Sequence, residues 1–136
     1  HRHLLGMVLV HDLPVRESGI DGVVPVWKTL DQFGLDRTYA LRPYWSDDNG
    51  IRLLPRDKNV VATGYAKRNH FLIVVFNNTD AAVEATLRLS PSRFPADSDA
   101  SLVVTDSESG DGIGEGRRFS VRVPRRNFRM LTVHSR

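Results

Sequence analysis

"LLGMVLVHD", Leu4 to Asp12, is an almost unbroken apolar run that stops at His11-Asp12 and gives way to Leu13-Pro14. It shows no alternation, and a short continuous apolar run bounded by turn signals fits a strand covered on both faces, as in a parallel sheet. A buried helix is the competing reading, because periodicity cannot separate the two over so few residues. The expectation is the strand. Leu4 to Val10 then needs neighbours on both sides.

Outward from this run, "DLPVRESGID" carries Pro14, Gly19 and Gly22, a loop composition. A helix follows, with Asp21 placed as N-cap and Pro25 in its first turn. Val23, Val26, Trp27, Leu30 and Phe33 recur at steps of three or four and so share one helical face, with Trp27 expected in the core. Gly34 is placed to end the helix.

After Leu35 the pattern changes. "TYALRPYW", "IRLLP", "VVATGYAK", "HFLIVVFNN", "AVEATLRL", "SLVVTD", "RFSVRVP" and "NFRMLTVH" are short, rich in β-branched and aromatic residues, and separated by turn clusters. These predict a mainly β fold, an antiparallel β-sandwich of about eight strands preceded by one strand and one helix. "AKRNHF" is short enough for a hairpin and "NNTDAA" for a turn. "DSESGDGIGEG", Asp106 to Gly116, reads as a mobile loop. The chain thus divides into residues 1–35, strand-loop-helix, and residues 36–136, the sandwich.

The 136 residues are 40% hydrophobic and 26% charged, which suits a globular chain able to bury a core without metal or disulfides. The absence of cysteine excludes thiol nucleophiles, disulfides and zinc-thiolate centres. A net charge of +3 dictates no polyanionic partner, and no apolar run reaches the roughly 18 residues of a membrane span, so neither nucleic acid nor membrane is expected as a partner. No G-x-G-x-x-G, phosphate-binding loop or G-x-S-x-G is present, which leaves nucleotide binding and serine hydrolysis unsupported. No cofactor is expected.

Several groups of residues bear on function. In "RPYWSDDNGIR", Tyr44 and Trp45 stand beside Asp47, Asp48 and Asn49, where aromatic faces and carboxylates would together suit a sugar; the plainer reading is core aromatics followed by a turn. His1, His3, His70 and His134 lack ligand spacing, and neither "SDDNG" nor "DSESGDG" matches an EF-hand loop, so no metal is expected. Asn77 begins the triplet Asn-Asn-Thr, a glycosylation sequon that also reads as a turn. Arg117, Arg118, Arg122, Arg125, Arg126 and Arg129 form the densest charge cluster. Asp106, Glu108, Asp111 and Glu115 are placed to neutralise it, which favours a solvated sheet face over a phosphate site.

A strand, loop and helix running into a sandwich resembles the carboxy-terminal region of glycoside hydrolases, where the last βα unit of a (β/α)₈ barrel is followed by a β domain. The resemblance is carried by "LLGMVLVHD", "VVPVWKTLDQFG", "ALRPYW" and "YAKRNHFLIVVFNNTDAAVEATLRL". It implies that the other barrel strands, which would cover Leu4 to Val10, lie in a catalytic barrel missing from this chain and acting as its partner. It also implies that His11 and Asp12 stand at the carboxyl end of a barrel strand, where substrate is bound; the plainer reading is a strand end and a turn. Glycosidases work with a pair of carboxylates, of which this chain supplies at most one, so no catalytic residue is assigned and no activity is expected from it alone. The role implied is that of an accessory domain stabilising the barrel. The alternative is a free-standing carbohydrate-binding or protein-interaction module, with Tyr44 and Trp45 as the binding surface for carbohydrate.

Overall fold

The structure is a computed structural model that describes residues 2–11, 23–34 and 39–136. Among the described residues, two helices, α1 (Arg2–Val10) and α2 (Val23–Phe33), precede nine strands. The strands are β1 (Ala40–Arg42), β2 (Ile51–Leu54), β3 (Val60–Lys67), β4 (His70–Asn77), β5 (Val83–Leu89), β6 (Leu102–Asp106), β7 (Gly112–Glu115), β8 (Arg118–Val123) and β9 (Asn127–Ser135). They form a six-stranded sheet in the order β1-β3-β4-β9-β6-β7 and a three-stranded sheet in the order β2-β5-β8. All pairings are antiparallel. The predicted sandwich is therefore present.

The molecule has three layers. Phe71, Ile73, Leu87, Phe94, Val121 and Leu131 belong to the core between the two sheets. The opposite face of the six-stranded sheet carries Leu72, Val74, Phe76, Phe128 and Met130, which pack with Leu5, Leu9, Val26 and Phe33 of the helices. Successive residues of β4 alternate between these two cores, and both faces are covered. That is why "FLIVVF" is continuously apolar in an antiparallel sheet.

The opening run is a helix, which corrects the strand expected there. Leu5 and Leu9, with Gly6 and Val10, form a buried stripe at a spacing of four, while Leu4 and Met7 on the outer side remain exposed. Because that outer side is apolar too, the helical period is hidden in the sequence. Gly6 lets the helix lie close to the sheet, since a Cβ there would come within 2.6 Å of Phe76 Cδ1. Arg2 ties down the first turn by a two-pronged bond to Glu108 at 2.9 Å and by bonds to Asn127 Oδ1 at 2.6 Å and the Phe128 carbonyl at 3.1 Å.

Gly34 ends α2 at φ 79°, as expected. Lys67 of β3 donates to the carbonyls of Phe33 and Gly34, satisfying the helix's last acceptors. The buried stripe of α2 runs through Val26, Thr29 and Phe33; Trp27 and Leu30 are only half-buried, so Trp27 is not the core residue expected. Asp21, the loop containing Pro14, Gly19 and Gly22, and the division near Leu35 lie outside the described residues.

One further expectation is corrected, and for Asn77 the turn reading holds. The segment from Asp106 to Gly116 contains β7, a ninth strand in a hairpin with β6. Asp106 Oδ1 organises its turn by accepting the backbone N–H groups of Glu108 and Ser109 at 2.9 and 3.1 Å. Asn77 is fully buried: its amide donates to the carbonyls of Ala81, Val123 and Pro124, and its oxygen accepts from Thr79. It builds the β4–β5 turn and has no side chain to offer as a glycan acceptor.

Candidate functional site

The end of α1 and the turn after β1 meet at one corner of the molecule. The turn begins at Pro43, whose carbonyl accepts from Ser46 N at 3.1 Å. Asn49, nearly buried, braces it by donating to the Pro43 carbonyl at 3.1 Å and accepting from Ile51 N at 2.9 Å. This is an Asx device of the kind that turns favour. On the other side, Thr63 of β3 donates to the Val10 carbonyl at 2.7 Å and accepts the Tyr44 N–H at 3.2 Å. One hydroxyl thus positions both the helix end and the aromatic turn.

These supports bring His11, Tyr44 and Trp45 together. The Tyr44 hydroxyl lies 2.7 Å from His11 Nε2, and His11 Nδ1 lies 2.7 Å from the Met7 carbonyl. The carbonyl can only accept, so Nδ1 carries a proton; a neutral ring then leaves Nε2 to accept from Tyr44. The rings of His11 and Trp45 are near parallel, 15° apart with centroids 6.2 Å apart, and Tyr44 meets Trp45 edge-on at 5.4 Å. Trp45 is 55% exposed and so is not a core residue, while half-buried Tyr44 packs against the edge of the helix-side core. Tyr44 also lines a cleft of about 420 Å³ that includes Asp47, Arg56, Asp57 and Lys58.

Three of the four residues singled out from sequence, His11, Tyr44 and Trp45, thus stand side by side, although they come from segments 33 residues apart. Asp12 lies outside the described residues. Thr63, which holds the cluster, was not among the residues named from sequence, and its signal was a hydroxyl inside an otherwise apolar strand; Asn49 was, and it builds the turn expected after the aromatics. Chemically, the corner offers an indole face with hydroxyl and imidazole groups at its edge. Among the described residues, no three His, Asp or Glu side chains gather as metal ligands would, and no helix is long and apolar enough to cross a membrane.

The arginine cluster is spread out rather than gathered. Arg117 pairs with Asp99 at 2.6 Å, Arg126 with Asp80 at 3.0 Å and Arg129 with Asp106 at 3.9 Å. Of the acids expected to neutralise the cluster, Glu108 serves Arg2 and Glu115 serves Arg136 instead.

No protein-family model and no curated protein sequence matches the chain. Among solved structures, it is similar to part of a "putative alpha-N-acetylgalactosaminidase" from Bacillus halodurans, with a TM-score of 0.64 and 10% identity, covering 98% of this chain and 31% of that one. It is also similar to part of a noncanonic maltogenic alpha-amylase from Thermotoga neapolitana, with a TM-score of 0.52 and 13% identity, over 92% of this chain and 29% of that one. The expected resemblance to a region of glycoside hydrolases therefore holds at the level of the fold. The chain spans under a third of the length of these two proteins.

Proposed function

We propose that the chain is a non-catalytic accessory β-sandwich domain of a glycoside hydrolase-like protein, where it stabilises the catalytic barrel through residues 1–35. The observation that carries this reading is the outer side of the helices. Leu4, Met7 and Val24 are exposed at 52%, 39% and 54%, opposite the stripes that pack on the sheet. A helix with apolar side chains on its outer as well as its inner side, as α1 has, suits an interior, and exposed apolar side chains of this kind fit a docking site. Similarity to parts of much longer chains supports a catalytic barrel as what covers it.

The reading is tested by replacing Leu4 and Met7 together with Glu, in the isolated 136-residue chain and in the longer parent chain. Exposed positions tolerate such changes, so the isolated chain keeps its thermal midpoint while the parent's falls by several degrees. An equal fall in both, or in neither, contradicts the reading.

A second reading, carbohydrate binding, is favoured by the convergence of His11, Tyr44 and Trp45. A pyranose ring stacks its C–H face on an indole, and the neighbouring Tyr44 hydroxyl, which gives its proton to His11 Nε2, keeps a lone pair to accept from a sugar hydroxyl. This reading requires the exposed face of Trp45 to stay accessible in the parent protein.

A further inference from the structure

The outer face of the three-stranded sheet carries an arrangement that neither reading uses. Arg52 of β2 lies directly opposite Arg88 of β5, and Arg88 directly opposite Arg118 of β8. All three are exposed. Strands in a sheet are about 4.8 Å apart, so three cations emerge in one line roughly 10 Å across. Like charges directly opposite one another destabilise a sheet, so a face that only had to be wet would gain by alternating signs.

The charge is also left uncompensated. Arg68, Arg93, Arg117, Arg126, Arg129 and Arg136 each have a carboxylate partner. Arg52, Arg88 and Arg118 form no ion pair among the described residues. Glu84 is on the same face but stands opposite Arg122. Asp47 and Asp48 line a cleft of about 470 Å³ with Arg52 and Arg88 at one end of the row, and Asp48 is taken by Arg93.

The next row along the strands is Leu54, Thr86 and Ser120, again in register. Leu54 is 46% exposed, and the two hydroxyls lie 2.8 Å apart. Leu54, Thr86 and the three arginines enclose a shallow depression of about 180 Å³.

We infer that this face binds an extended anionic polysaccharide, with sugar carboxylates on Arg52, Arg88 and Arg118 and the adjoining rings over Leu54, Thr86 and Ser120. Guanidinium forks match carboxylates two bonds at a time. The neighbouring row supplies what a hydroxyl-rich chain needs: two hydroxyls and one small apolar contact. The face has no aromatic ring on which nucleic-acid bases could stack. One leucine is too little apolar surface to insert into a bilayer. The inference is independent of the barrel-capping role, which concerns the helices on the opposite side of the sandwich.

The test is affinity electrophoresis of the 136-residue chain through gels containing polygalacturonate or neutral dextran. Retardation is expected by polygalacturonate only, weakened by added salt. Replacing Arg52, Arg88 and Arg118 together with Gln should reduce the affinity at least tenfold, with no fall in thermal midpoint, because the like-charge opposition is relieved. Should that variant not fold, Arg88→Gln alone, at the centre of the row, should weaken binding severalfold. Replacing Arg68, Arg126 and Arg136 with Gln removes the same net charge elsewhere and should leave most of the affinity. Equal losses in the two triple variants would reduce the effect to net charge and overturn the inference. So would absence of retardation, or binding to vesicles of phosphatidylserine and phosphatidylcholine without binding to polygalacturonate.

Discussion

Thr63 Oγ1 donates a 2.7 Å hydrogen bond to the carbonyl of Val10, a residue 53 positions earlier in the chain. Both residues are fully buried. The last carbonyls of a helix have no partner within it, and here the sheet beneath provides one. The same oxygen receives the Tyr44 N–H, so the helix end, the aromatic turn and β3 share a single polar contact.

Thr63→Val keeps the shape and removes that contact. It leaves the Val10 carbonyl and the Tyr44 amide short of a partner, a cost of about 1–3 kcal/mol. Denaturant unfolding should show this loss. A change of the indole environment in Trp45 emission should accompany it, because the turn is released along with the helix.

Gly6→Ala sets two effects against each other. Alanine favours helix over glycine by about 1 kcal/mol. At this position, however, the added Cβ would sit 2.6 Å from Phe76 Cδ1 and 3.1 Å from Phe128 Cδ1. Overpacking of that kind costs about 1–3 kcal/mol, so the variant should be no more stable than the parent and is expected to be less so. A clear gain in stability would show that α1 does not lie against β4 and β9 as described.

His70 makes stability depend on pH. Burial, then the nearby charges of Lys67 and His134, hold its pKa below the ordinary 6.5. Its other neighbour is the Phe33 ring at 4.8 Å, which offers no counter-charge. As pH falls below about 6.5 the unfolded chain takes up the proton first, so stability declines from there until the lower folded value is reached. Above about 6.5 this group contributes no pH dependence. Unfolding free energies measured at about pH 7.5 and about pH 5.5 should show the decline, and His70→Gln should reduce it.

Trp45 reports on the aromatic corner. In a Trp27→Phe background its emission should be quenched efficiently by acrylamide, as a ring 55% exposed must be. A bound sugar would shield it. Strong quenching that no mono- or oligosaccharide changes would remove the carbohydrate reading of His11, Tyr44 and Trp45.

The sandwich was legible because its strands obey local rules. Phe119, Val121 and Val123 face inward and Arg118, Ser120 and Arg122 outward, a period of two visible in the sequence. Asn69, at φ 63°, marks the β3–β4 hairpin that "AKRNHF" suggested. Where the expectation failed, tertiary cover had erased the period. Leu4 to Val10 reads as a strand buried on both faces, yet β4 is a strand so covered, and the opening run is a helix that lies over it. Nothing local distinguishes these cases, because both segments are apolar without alternation. The convergence of His11 with Tyr44 and Trp45 depends on where α1 lies, so its residues could be named from sequence while their contact could not.

The central claim, that this sandwich serves a larger protein, is tested most directly by the mass of the native product. An antibody raised against the 136-residue chain would detect that product in cells of the source organism. The expected product is a polypeptide several times larger than 15.3 kDa, with room for a barrel over Leu4, Met7 and Val24. A product near 15.3 kDa would contradict it and leave those side chains to another partner.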